Sequence, residues 1–237
     1  MVDKVDFMVA AGLNGASYYT PINKFGYNTA VNNSYESITD LGTFNLPSTA
    51  AAVSVVSSSA QDGPAGTGAR TIEVEGLDEN YVEQVATITM AGTGAATTGS
   101  TTFIRVFRMR VLTTGSNETN VGNITASVGG DDVAQISADN GQTLMSVYTV
   151  PANKVAYLIK FQASISKNQE ATIQLRTKGH NDNGVWQVKG QFGTFASVVG
   201  YNYAVPLMIP AKTDIEFRAK AGATSEIGVV FDLVLNG

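Results

Sequence analysis

Apolar and polar residues alternate with a period of two over much of the chain beyond residue 70. Ile215, Phe217 and Ala219 alternate with Asp214, Glu216, Arg218 and Lys220. That spacing sets a dry face against a wet one, as a half-buried strand requires. Ile227, Val229, Phe231, Leu233 and Leu235 form the dry side of a last strand, opposite Gly228, Asp232 and Asn236. Val155, Tyr157, Ile159 and Phe161 repeat the pattern, as do Ile173 with Leu175 and Ile72 with Val74. Turn formers separate these runs, among them Gly129-Gly130, Asp139-Asn140-Gly141 and Asp182-Asn183-Gly184. Turn signals every 8–12 residues or so predict a sandwich or barrel. The expected fold is therefore all-β: an antiparallel β-sandwich, jelly-roll-like, with a less regular N-terminal region. No stretch reads as a long capped helix, and Asp78-Glu79-Asn80-Tyr81 gives only a faint helical turn. No fixed-period repeat suggests a propeller or solenoid.

Composition changes along the chain. Residues 1–66 are poor in charge and rich in Gly, Asn, Ala and Tyr, and predict an irregular docking region with short strands. Residues 67–237 predict the sandwich domain. The segment around residues 63–68, with Gly63-Pro64 and Gly66-Thr67-Gly68, reads as a linker, a loop tip or a close crossing of backbones.

Charge and composition narrow the function classes. The 237 residues include no Cys and one His, which leaves no disulfide framework, no thiolate metal site and no poly-His site. Net charge is −5, so no nucleic-acid partner is expected. No apolar run reaches the ~18 residues of a membrane span, and the opening Met1-Val2-Asp3-Lys4-Val5-Asp6 lacks the features of a signal peptide. Charged residues make up 15% of the chain, against about 25% in an average domain.

Motifs for chemistry are scarce. Gly92-Thr93-Gly94 does not complete a dinucleotide fingerprint and reads as a hairpin tip. His180, near Asp182, has the makings of a general base, but no nucleophile accompanies it, and an exposed turn residue beside Asn183-Gly184 is the favoured reading. Asp131-Asp132, Asp139-Asn140 and Asp182-Asn183 offer oxygens to Ca²⁺ without the spacing of a calcium loop. No catalytic residue, metal or cofactor is expected, and the chain does not read as an enzyme.

Two sets of residues suggest contacts instead. Arg105, Arg108 and Arg110 lie among apolar neighbours in Phe103-Ile104-Arg105-Val106-Phe107-Arg108-Met109-Arg110-Val111. Arg in such company suits a subunit interface, where its stem packs and its fork finds carboxylates; an edge strand blunted by Arg is the other reading. Aromatics gather early, and Tyr18, Tyr19, Phe25 and Tyr27 are the candidate docking residues, unless these rings simply fill a core.

Three stretches carry a family resemblance. They are residues 57–78 (SSSAQDGPAGTGARTIEVEGLD), Phe103-Ile104-Arg105-Val106-Phe107-Arg108 followed by Asn120-Val121-Gly122-Asn123-Ile124, and residues 148–158 (YTVPANKVAYL). Together they resemble accessory virion structural proteins of tailed bacteriophages, the group of capsid decoration (cement) and head-fibre proteins. The resemblance covers roughly residues 50–165. The third stretch departs from the group's pattern, with Asn153 where Gly is expected; Asn tolerates the left-handed backbone. The resemblance implies a decoration protein on the capsid surface, assembled in the host cytoplasm, with the major capsid protein and its own copies (a homotrimer) as partners. The alternative is a head- or tail-fibre or spike component that binds a host glycan or receptor.

Overall fold

Sixteen strands form among the described residues of the computed structural model, which are 19–166, 168–180 and 184–237; none of these residues is helical. Eight strands wrap into one sandwich. Its first sheet runs β1 (Tyr19–Val31), β16 (Ser225–Asn236), β11 (Val155–Ile165), β14 (Val198–Ile209). The facing sheet runs β10 (Val147–Thr149), β15 (Thr213–Ala221), β12 (Glu170–Gly179), β13 (Trp186–Phe195). Counted along the chain, the first sheet holds strands one, eight, three and six, and the second holds two, seven, four and five. That nested order is a jelly roll, so the expected all-β sandwich is the observed fold.

A second sandwich is built into the first. Its sheets run β6 (Ala96–Phe103), β3 (Ala51–Ser57), β8 (Ile124–Val128), β9 (Asp131–Ile136), and β5 (Glu83–Thr89), β4 (Ala69–Leu77), β7 (Arg105–Thr114). The short strand β2 (Glu36–Ser37) explains the insertion. Both β2 and β10 pair with β15, with Ser37 opposite Arg218 and Val147 opposite Glu216. Between them, Ile38 N donates to Phe217 O at 3.1 Å and Ser146 N donates to Ile38 O at 2.9 Å. They are two halves of one edge strand. Residues 39–145 leave it and return at one point, where Thr39 bridges Met145.

Two apolar cores follow. Phe161, Phe217, Phe231, Leu158 and Leu233 centre the jelly roll. Ile72, Val74, Phe103, Met109 and Ile124 centre the inserted sandwich. The domain boundary expected at residue 66 is thus displaced: β3 and β4, on either side of it, share the second core. Within the N-terminal region β1 is a long regular strand, while residues 38–50 carry no strand. Deleting residues 1–45 would remove β1 and β2 from the jelly roll instead of detaching an arm.

Three local differences from the sequence reading have physical causes. The expected wet face of β15 is dry at its start, where Asp214 and Glu216 are buried, because neighbouring elements and their cationic side chains cover it. In β11 the inward residues are Ala156 and Leu158, then Phe161, Ala163 and Ile165; a bulge between Leu158 and Lys160 reverses the alternation. The Asp78–Tyr81 segment is a tight turn, not a helical one, closed by Tyr81 N on Asp78 O at 2.9 Å with Tyr81 at φ 64°. At Asn153 the turn closes by Lys154 N on Pro151 O at 3.2 Å, and Asn153 needs no left-handed backbone.

Two of the resembling stretches meet at one buried carboxylate. Asp62 accepts from Ala69 N, Val121 N and Gly122 N, each at 2.8 Å, and from Ser57 Oγ at 2.6 Å. Gly68 leaves it room, since a Cβ there would stand 2.1 Å from Asp62 Oδ1. The Gly-rich segment is a close crossing of backbones organised by Asp62.

Candidate docking surfaces and the seam between the sandwiches

The inserted sandwich touches the jelly roll along a polar seam. β7 supplies Arg105 and β15 supplies Asp214; Nε donates to Oδ1 at 2.8 Å and Nη2 to Oδ2 at 3.1 Å. Both side chains are buried. Thr149 Oγ1 donates to Asp214 Oδ1 at 2.7 Å, and Arg105 Nη1 donates to Pro47 O at 3.0 Å and to Ile104 O at 2.8 Å. Burial costs these charges their hydration, and the two-pronged geometry with the added bonds offsets that loss. Tyr81 lies under this guanidinium, 5.7 Å from its centroid, with its hydroxyl 3.3 Å from His180 Nδ1.

A small cavity of about 150 Å³ opens in the same seam, lined by Lys24, Glu75, Glu83, Phe107, Arg108 and Tyr148 among others. Lys24 Nζ donates to the Phe107 carbonyl. Burial pushes the Lys24 amine down to about 7; Arg108 adds to the shift and Glu75 opposes it. The Tyr148 hydroxyl is buried and has no hydrogen-bond partner among the described residues, and burial raises its pKa.

Three of the four candidate docking residues fall on one strand. Tyr19, Phe25 and Tyr27 share a face of β1, two or six positions apart with no bulge between them. Phe25 and Tyr27 line a groove of about 530 Å³ between β1 and the inserted sandwich, whose Asp40, Ser137, Asn140 and Leu144 form the far wall. Tyr27 donates to Glu226 Oε2 at 2.5 Å, and burial with this bond pushes its pKa up to about 12. Tyr19 sits further along the strand beside Asn236. Tyr18 lies outside the described residues.

The three arginines separate. Arg105 is 6% exposed and serves a contact inside the chain, between its two sandwiches. Arg108 lines the seam cavity and donates to Asn23 O at 3.3 Å. Arg110 is half-exposed and pairs with Glu73 at 2.6 Å. The clustering of Arg with apolar residues reflected a strand wedged between two cores, since Val106 points into one and Phe107 into the other. Sequence reasoning missed Lys24 and Asp214, because a lone Lys or Asp in an alternating strand reads as solvent-facing.

The remaining candidates stay apart. His180 is exposed and touches Tyr81, while Asp182 and Asn183 lie outside the described residues. Asp139 adopts φ 64° in a turn, and Asp131 and Asp132 open β9 after Gly129 and Gly130, both at positive φ. Among the described residues no three His, Cys, Asp or Glu side chains group as metal ligands. No described helix is long and apolar enough to cross a membrane.

No protein-family model matches the chain, and no curated protein matches it in sequence. Among solved structures it is similar to infectious bursal disease virus of the Gt strain, at 10% identity and TM-score 0.22, covering 92% of this chain and 76% of that one. The Gx strain of the same virus gives 9% identity and TM-score 0.20, with 92% and 75% covered. The VP2 subviral particle of that virus gives 10% identity and TM-score 0.21, with 92% and 76% covered. Likenesses at this level decide neither fold nor function, which rest on the strand order and surfaces described above.

Proposed function

We propose that the chain is a virion structural protein, a decoration protein that seats on the outer capsid lattice of a tailed phage and bridges neighbouring capsid subunits. One observation carries the reading: a jelly roll whose edge strand opens to hold a second sandwich, the two clamped by the buried Arg105–Asp214 pair. A bridge between neighbours needs a stiff body with two separated surfaces, and this build supplies one. The resemblance of residues 50–165 to accessory virion proteins points the same way. The β1 face with Tyr19, Phe25 and Tyr27, and the groove beside it, is the surface assigned to the capsid. The chain acts as a homotrimer in this reading, so that modest contacts repeat and add by avidity. Binding only the mature shell then stabilises it by mass action.

The test is copy number per purified virion, by quantitative peptide mass spectrometry against the major capsid protein. A simple large fraction of one copy per capsid subunit supports decoration. A ratio of a few per cent or less moves the protein to a fibre or vertex position, and absence from virions sinks both readings. Shells that lack the protein should gain thermal stability when it is added back, and the Phe25→Ser variant, which leaves the Tyr27–Glu226 bond intact, should bind them more weakly while remaining folded by circular dichroism.

A second reading, host-glycan binding as a fibre or spike component, has one observation of its own. A shallow cavity of about 350 Å³ on the first jelly-roll sheet is lined by Tyr201, Asn23, Asn202, Asp232 and Gln162. Short amide and carboxylate groups gathered on one outer face suit the hydroxyls of a sugar, which hydrogen-bond to them. A glycan array without hits removes this reading.

A further inference from the structure

We propose that the β13–β14 flank of the jelly roll is where copies of this chain join. The inference deepens the reading of the chain as an assembling subunit, and rests on it only for the identity of the assembly.

Both sheets end on this flank, one at β14 and the other at β13. The sandwich is not closed there, and its core runs out to the surface. Phe231, Phe217, Phe161, Phe192, Tyr201 and Tyr203 form a ladder of rings with successive centroids 5.1, 5.1, 4.7, 6.0 and 4.8 Å apart. The ladder starts at fully buried Phe231 and reaches Tyr201, which is 48% exposed. A core that opens onto the surface is what one side of a permanent subunit interface looks like when its partner is taken away.

The skin of the flank agrees. Phe195, Val198, Val205 and Met208 are each more than half exposed. Residues 203–206 arch out of the ladder opposite the β11 bulge, which lifts Val205 to 76% exposure. Long apolar edges of this kind invite pairing, and soluble monomers usually blunt them with charge. Here β14 carries no Asp, Glu, Lys or Arg over its 12 residues, and β13 carries only Lys189.

Charge selects the occupant. The chain as a whole bears −5, so two copies repel except through a face without charge. The flank, with Lys189 as the one charged residue of its two strands, comes near to such a face, and it offers no charged pattern for a partner of opposite sign to recognise. A second copy of the chain fits it.

The experiment uses the full chain, whose lack of Cys makes single-Cys variants clean probes. Sedimentation velocity at rising concentration should show a discrete oligomer. A short bismaleimide should link Val205→Cys into covalent multimers and leave Val85→Cys, also more than half exposed but on the inserted sandwich, unlinked. The Val205→Lys/Met208→Lys variant should associate about a hundredfold more weakly, because it buries unpaired charge, with unfolding of its monomer unchanged. A chain that stays monomeric at every concentration overturns the proposal. So does an oligomer that links through Val85→Cys, whether or not Val205→Cys also links. Capsid binding separates the two readings: an oligomer joined at the flank that never binds shells sinks only the decoration reading, and a monomer that binds them sinks this one and the homotrimer but leaves decoration standing.

Discussion

Lys24 shows most sharply what a single residue does in this fold. Its amine is held at about 7 in the native state, against 10.5 when exposed. Between those values the unfolded chain binds more protons than the folded one, so this group's penalty fades as pH rises and is complete below about 7. Lys24→Met should therefore stabilise the protein at pH 6.5, and its advantage should shrink toward pH 10. Urea midpoints at both pH values check this, and equal effects at both would count against it. Arg105 behaves oppositely. Arg105→Ala leaves Asp214 buried and uncompensated, which should cost about 3–5 kcal/mol. Arg110→Ala, at a half-exposed pair on the same strand, should change stability by less than about 1 kcal/mol.

At the scale of elements, the position that matters most is where β1 crosses the point at which the edge strand divides. Gly26 sits there, and a Cβ added to it would stand 2.1 Å from Ile38 O and 2.3 Å from Ser146 N. Those are the backbone atoms that join β2 to β10, and they have nowhere to move. Gly26→Ala should destabilise by about 1–3 kcal/mol through overpacking, and Gly193→Ala in β13, where nothing lies within 4 Å, should be near neutral. Thermal unfolding of the two variants checks the contrast. Register also belongs to this scale. The outward or inward sense of every residue in β11 depends on one bulge, and a bulge leaves little mark in an alternating apolar run.

The whole molecule is a jelly roll interrupted once. Its edge strand resumes at Ser146 hydrogen-bonded to Ile38, so the two ends of the insert are already in contact. Replacing residues 39–145 with a short Gly-containing turn should leave a jelly roll that unfolds cooperatively, because its own core loses few members. Far-UV circular dichroism with a single sharp melt supports this; a molten or insoluble product shows that the seam is needed for folding.

Much was legible in the alternating runs. The period of two in β4, β12, β15 and β16 marked strands and their inward faces, because apolar area buried on one side of a pleat dictates that pattern locally. The turns at Gly129-Gly130 and Asp139-Asn140-Gly141 were equally local, set by which residues accept positive φ. The company of apolar residues around Arg105, Arg108 and Arg110 was legible, but not that Arg105 serves a contact inside the chain; the early gathering of Tyr and Phe was legible, but not that Tyr19, Phe25 and Tyr27 share one long strand. What the chain could not reveal by itself is which surfaces meet. The end-to-end junction of β2 and β10, where Ser146 N donates to Ile38 O, joins residues more than a hundred positions apart, and Arg105 finds Asp214 across a similar distance. The buried amine of Lys24, the dry start of β15 and the open β13–β14 flank all follow from how two sandwiches were set against each other. The physical reason is range: backbone propensity and one-sided burial act over a few residues and are written along the chain, whereas desolvation and ion pairing depend on neighbours that only the folded chain supplies.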